Sequence, residues 1–234
     1  MMDDSIKLYQ TSAHSCSYLE DQKAQTLFVD PEKKIDRYTY TYLTNLGFRR
    51  SGGFIYRPNC ENCRSCIPAR VVVKNFSANR SRRRLLKRNQ NLKKSALQTQ
   101  FNEEHYLLFE KYITARHADG DMYPTSRDQY ANFLVEGLQD TFFLEFRDDK
   151  KLVAVAVTDE IDDGLSSVYT FFDPDYSSNG LGVYTLLNQI ALAKERKLRY
   201  LYLGYWIKGC KKMSYKIQYK PMELLLEDKW VLLK

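Results

Sequence analysis

The run "TFFLEFR", "DDK", "KLVAVAVTDEI", "DDG", "LSSVYTFFD" (residues 141–173) constrains the fold more than any other stretch. Strand-like apolar segments alternate with short turns carrying the Asp and Gly residues that hairpins need, so an antiparallel meander is expected. A glycine-bearing loop, "PDYSSNGLG", then leads into the helical run "LGVYTLLNQIALAKERK". The strand "RYLYLGYW" and a closing pair, "PMELLLED" and "WVLL", complete the segment. Strands followed by a helix and further strands predict an α+β architecture, a mixed sheet with helices.

Before residue 120 the chemistry differs. "DRYTYTYLTNLGFRR" reads as a helix and "FRRSGGFIYRP" as a bent strand or hairpin around Gly52-Gly53. "ARVVVKNF" reads as a strand. "SRRRLLKRNQNLKKSAL" reads as one helix capped by Asn79 or Ser81, with Leu85, Leu86 and Leu92 anchoring it. "NEEHYLLFEKYITARH" is amphipathic, with Tyr106, Phe109, Tyr112 and Ile113 inward, and Ser126 stands at capping-box spacing from Gln129. The loop "HADGDMYPTSRD" separates two expected parts: residues 1–120, basic and cysteine-containing, and residues 121–234, carrying the sheet and the glycine loop.

Charge separates the parts further. The chain is +7 overall, yet residues 62–102 contain no acid and eleven bases, so the remainder is net acidic. Arg80, Arg82, Arg83, Arg84, Lys87 and Arg88 crowd one predicted helix, the footprint of a polyanion-binding surface. A solvated helix face is the plainer alternative. No apolar run approaches the roughly 20 residues of a membrane helix. The opening "MMDDSIKLYQ" lacks the apolar centre of a secretory leader, so a cytoplasmic, membrane-free protein is expected.

A reducing compartment makes the five cysteines free thiols rather than a disulfide framework. Cys60, Cys63 and Cys66 sit three apart, a spacing that offers three thiolates to one ion. With Cys16, or His14, as the fourth ligand, a structural zinc ion or iron–sulfur cluster is one reading. Reduced cysteines packed as small apolar groups is the other.

Strand, glycine loop and helix in this order resemble the N-acetyltransferase superfamily, whose helix N-terminus faces an anionic cofactor. Here the loop is Ser177-Ser178-Asn179-Gly180-Leu181-Gly182, and Ser177 replaces the usual Arg or Gln. Three stretches narrow the resemblance: "HSCSYL" with "YRPNCENCRSCIPAR", "VYTFFDPDYSSNGLGVYTLLNQI", and "YLYLGYWIKGCKKMSYKIQYKPMELL". Together they resemble the arginyl-tRNA–protein transferase family through most of the chain, nearest its bacterial branch, the aspartate/glutamate leucyltransferases.

That resemblance implies transfer of leucine from leucyl-tRNA to a protein beginning with Asp or Glu, creating an N-terminal degradation signal. An aminoacyl ester is already activated, so the transfer needs no ATP and no cofactor, and no P-loop is present. Asp173 or Asp175 would orient or deprotonate the incoming amine, unless the "DPD" acids simply cap a turn. Backbone amides at Gly180, Leu181 and Gly182 would hold the oxyanion. Tyr169, Tyr176, Tyr205 and Tyr215 would line the reactive cleft. Lys212 and Lys216, with Tyr205 and Tyr215, would read the acceptor carboxylate. An arginyl-tRNA donor, a coenzyme-A-dependent acetyltransferase and a non-enzymatic RNA-binding module are the rival readings.

Overall fold

A computed structural model of the chain describes residues 5–120, 122–138 and 140–233. The acidic opening read against a secretory leader begins in residues 1–4, which lie outside the described residues, as does Asp121 of the predicted loop. The first strands are β1 (Leu8–Gln10), β2 (His14–Ser15), β3 (Lys23–Ala24), β4 (Thr26–Val29), β5 (Arg49–Ser51), β6 (Phe54–Pro58), β7 (Ile67–Val72) and β8 (Lys93–Gln98). They are followed by β9 (Thr141–Asp148), β10 (Lys151–Ile161), β11 (Gly164–Phe172), β12 (Tyr200–Trp206), β13 (Met222–Leu226) and β14 (Lys229–Leu233). The α-helices are α1 (Arg37–Asn45), α2 (Arg80–Arg88), α3 (Glu103–Arg116), α4 (Arg127–Tyr130) and α5 (Leu181–Glu195).

An eight-stranded mixed sheet in the order β14-β13-β7-β12-β11-β10-β9-β8 forms the body, and a four-stranded sheet, β1-β4-β6-β5, lies beside it. The meander β9–β10–β11 is antiparallel as expected. Its centre, β10, is apolar at consecutive positions because both faces are covered. Val155 and Val157 pack with Phe109, Ile113 and Phe143 beneath α3. Ala154 and Ala156 pack with Leu181 and Tyr184 of α5 on the other side. Each large side chain so buried contributes about 1.5–3 kcal/mol, before the entropy of ordering it is counted.

Several expectations change. The basic helix stops at Arg88, capped at its start by Asn79, whose side chain accepts from the Arg82 amide. Residues 93–97, read as its continuation, instead belong to β8. Pairing of β8 with β9 across Lys93–Gln98 overrides helix propensity. The strand is exposed throughout, and lysines on such an edge discourage further pairing. Nor do the cysteines define a domain of their own. Cys60, Cys63 and Cys66 occupy the connection between β6 and β7, and β7 lies inside the large sheet between β13 and β12. The small sheet and α1 share one core with it, in which Val29, Tyr40, Leu43 and Ile55 meet Ile161 and Tyr202.

Candidate active site

The cleft originates in a divergence of strands. β11 and β12 are parallel but pair only over Gly164–Ser166 and Tyr200–Tyr202. Beyond that point Val168 is bulged out of the β10 register, and β12 breaks register against β7 between Tyr202 and Gly204. The carboxyl ends of the two strands therefore splay apart, the place where ligands enter open sheets. A cavity of about 740 Å³ fills the gap.

Gly180 positions the upper wall. It takes φ +62°, and a Cβ there would come within 2.6 Å of Leu85 Cδ1 on α2. α5 begins immediately after it with no capping side chain. The Val183 and Tyr184 amides donate to the Gly180 carbonyl, no side chain caps the amides of Leu181 and Gly182 before them, and the helix dipole favours negative charge there. Gly180, Leu181 and Gly182 all line the cavity, as do Tyr169, Tyr205, Lys212, Tyr215 and Lys216.

Three predicted residues stand elsewhere. Asp173 is 2% exposed and caps the 174–179 turn through the Asp175 amide. Lys111 Nζ lies 2.6 Å from one of its oxygens and Lys151 Nζ 2.8 Å from the other. Burial opposes ionisation, but hydrogen bonds from Lys111, Lys151 and the Asp175 amide outweigh it and hold the carboxyl below its ordinary value. Asp175 also bonds Lys111, at 2.6 Å. The hydroxyl of Tyr176 donates outward to Asp148 at 2.9 Å. None of the three lines the cleft. The acids anchor the strand-to-helix turn through these lysines.

Residues from both sides of position 120 build the site. Tyr18, Arg49 and Tyr56 reach the cavity from the N-terminal part. Arg49 donates from β5 to Ser166 Oγ at 3.0 Å and to the Ser167 carbonyl at 2.8 Å on β11. Lys216 is 8% exposed and donates to the Tyr205 carbonyl at 2.6 Å. Burial, reinforced by the Arg49 charge, lowers its amine to about 7. His117 lines the wall, its imidazole lowered by burial and then by Lys212. Among the described residues the buried Tyr169 hydroxyl has no hydrogen-bond partner. Arg49 and His117 carry no local signal in the sequence; only the assembled sheet reveals them.

The basic helix lies against this cleft. Arg80, Arg83, Arg84, Lys87 and Arg88 are exposed. Three of the predicted phosphate ligands also bond within the protein, Arg83 donating to the Ala78 carbonyl at 2.6 Å just before its own helix. Arg82 stacks 4.1 Å from the Tyr219 ring centre and donates to the Gln218 carbonyl at 2.8 Å. Arg88 donates to the Ser178 carbonyl at 2.5 Å, on the loop before α5.

The cysteines come together loosely. The Cys66 thiol is pushed up to about 12 by burial and then by Cys16, Cys60, Cys63 and Cys210. Cys210, remote in sequence, thus belongs to the same neighbourhood. Among the described residues no three His, Cys, Asp or Glu side chains are grouped to hold a metal ion. Cys63 instead bonds Ser65 Oγ at 3.3 Å, and Cys60 the Gln25 carbonyl at 3.8 Å. The set Cys16, Cys60, Cys63 and Cys66 does not fit an ion as arranged, and no step below passes through one.

Uncapped amides above a cationic floor suit a reaction that builds negative charge on a carbonyl oxygen, which makes this an acyl-transfer protein. The chain belongs to the arginine-tRNA-protein transferase family, whose N-terminal part matches residues 14–84 and whose C-terminal part matches residues 104–226. An aspartate/glutamate leucyltransferase from Hahella chejuensis is 50% identical over 227 residues, 97% of each chain. One from Pseudomonas entomophila is 52% identical over 228 residues, again 97% of each. Among solved structures, the C-terminal domain of a lysylphosphatidylglycerol synthetase from Agrobacterium fabrum shares 14% identity at TM-score 0.47, over 76% of this chain and 53% of that one. That likeness is too loose to bear on function. Among the described residues no helix is long and apolar enough to cross a membrane.

Proposed function

We propose that the protein moves leucine from leucyl-tRNA to the α-amine of proteins beginning with Asp or Glu, marking them for degradation in the cytoplasm. The observation that carries this reading is the 50% identity to an aspartate/glutamate leucyltransferase along 97% of both chains. The finer architecture belongs to the same proposal: an N-acetyltransferase-like layer over residues 121–234, into whose sheet the basic, tRNA-contacting part over 1–120 inserts β7 and β8.

The chemistry needs little from the protein. The acceptor amine attacks the leucyl carbonyl carbon and forms a C–N bond. The ester C–O bond then breaks, and the terminal ribose oxygen leaves with the proton the amine has lost. The ester is already activated, so no ATP takes part. Amides of Leu181 and Gly182 stabilise the oxyanion, an effect worth about 3–4 kcal/mol per donor in comparable sites. With Asp173 committed to two lysines, His117 is the cleft group placed to relay the proton, and its lowered pKa keeps it neutral and receptive. Arg80, Arg83, Arg84 and Lys87 meet the tRNA phosphates. Tyr205, Lys212 and Tyr215 line the acceptor's approach.

The test supplies leucyl-tRNA or arginyl-tRNA, labelled in the amino acid, to peptides starting with Asp, Glu, Lys or Ala. Label passing from leucyl-tRNA to the Asp and Glu peptides alone is the expected result. Transfer from arginyl-tRNA instead reassigns the donor. Label on none of the peptides overturns the reading.

A further inference from the structure

Arg49 and Arg50 are neighbours on β5, and both are buried, at 9% and 5% exposure. Arg50 has its acid: Nη2 lies 2.7 Å and Nε 2.8 Å from the two oxygens of Asp159. Arg49 has none. Among the described residues its partners are the Ser166 hydroxyl and the Ser167 carbonyl, and its Nε is left open. Lys216, equally buried, donates among the described residues to a carbonyl, that of Tyr205, and to no carboxylate. Buried cations are normally paired, because an isolated charge out of water costs several kcal/mol. Arg49, which stays charged, and Lys216, which burial brings close to neutrality, thus share one cleft floor with no acid among the described residues, and a ligand anion would pair both.

The geometry points to Arg49 and Lys216 as a paired anion site that binds the side-chain carboxylate of the acceptor's first residue. This assignment rests on the leucyl-transfer reading above and gives it its selectivity. Gly204 opens the site. It takes φ +75°, and a Cβ there would sit 3.4 Å from Arg49 Nε, over the edge that is otherwise free. One guanidinium N–H and an ammonium match the two oxygens of a carboxylate. An RNA phosphate fits less well. It arrives flanked by two riboses, whereas Arg49 and Lys216 are buried between β5, β12 and the 211–218 turn; the exposed cations stand apart from them, on α2 and at Lys208, Lys211 and Lys212. The low pKa of Lys216 agrees with the arrangement: burial lowers it first, Arg49 adds to that, and Cys210 partly opposes both.

The experiment compares leucine transfer to otherwise identical peptides starting with Asp, Asn, Glu and Gln, using the unaltered protein, Arg49→Gln and Lys216→Met. Each variant is expected to lose about 30-fold or more in kcat/KM for the Asp and Glu peptides, the scale for a charged partner removed from a buried pair. The KM for leucyl-tRNA should stay within about threefold, so that the acid-over-amide preference collapses. An intact preference in both variants overturns the assignment. So does a loss that appears in the KM for leucyl-tRNA, which would give the site to an RNA phosphate. Unaltered protein that labels Lys and Ala peptides equally removes the transfer reading itself, a distinguishable failure. Because Arg49 ties β5 to β11 and its loss threatens folding, a second measurement uses the unaltered chain. Asp-alanine amide should protect Lys216 from reductive methylation near neutral pH, and Asn-alanine amide should not. Equal protection by both, or by neither, overturns the assignment.

Discussion

The molecule carries two concentrations of positive charge, and they work in opposite ways. On α2, Arg80, Arg83, Arg84 and Lys87 stand in water. Their charges are solvated, screened beyond about 8–10 Å, and individually replaceable. On the cleft floor, Arg49 and Lys216 are buried without a carboxylate among the described residues. Few in number, they sit in low dielectric, where each charge acts strongly at short range. The first arrangement suits a long polyanion of any sequence. The second suits one small anion of fixed shape. Charge count marks the first; solvation makes the second.

Replacing Arg80, Arg83, Arg84 and Lys87 together by Ala should have the largest effect. Loss of four phosphate contacts should raise the KM for leucyl-tRNA about 10²–10³-fold at low salt, with the deficit shrinking as salt rises. The Asp-over-Asn preference should survive, measured in the same assay. An unchanged KM would show that α2 is only a solvated face.

Asp173→Asn probes the turn. As an anchor held by Lys111 and Lys151, Asp173 should cost about 1–3 kcal/mol of stability when neutralised, read from denaturant unfolding. Turnover should fall only modestly. Unchanged stability with a kcat drop of about 10³ would instead restore Asp173 as a base.

Lys216→Met isolates the cost of the buried floor. A lysine whose folded pKa lies near 7 and whose ordinary value is 10.5 destabilises the fold fully below pH 7. Between 7 and 10.5 the unfolded chain binds the extra proton, so stability climbs with pH and the penalty fades by 10.5. The Met variant should be more stable by about 1–3 kcal/mol at pH 6, with the gain vanishing by pH 10.5. Arg83→Ala, on the exposed helix, should change stability by less than about 0.5 kcal/mol across that range.

Single changes on α2 should give the smallest effects. Arg83→Ala should weaken leucyl-tRNA use a few-fold and reduce the salt slope by about one. Arg82→Ala should leave the slope nearly intact, because Arg82 is spent on Tyr219 and Gln218. Its cost should appear in stability and kcat. Equal slopes for the two variants would place Arg82 on the RNA after all.

Much of the frame was legible before any coordinates. β9 to β11 announced themselves by turn residues between apolar runs, and α5 by its glycine loop and long helical pattern. α3 matched in extent and inward face: Tyr106, Phe109 and Ile113 are buried. β8 was not legible, because "KKSALQ" has no strong local preference and becomes a strand only by pairing with β9. Asp173 misled for a related reason. A carboxylate inside a family-like stretch looks catalytic, while the two lysines that hold it come from α3 and β10.

The sequence by itself determined the order of elements, the basic helix, the glycine hinge and the family, since each is written in neighbouring residues. Tertiary structure alone decided which charges would be free. Arg49 and Arg50 are adjacent and chemically identical, yet strands more than 100 residues away give one of them a carboxylate and the other a hydroxyl and a carbonyl. Whether a charge is paired depends on what the fold packs beside it, and local pattern carries no record of that.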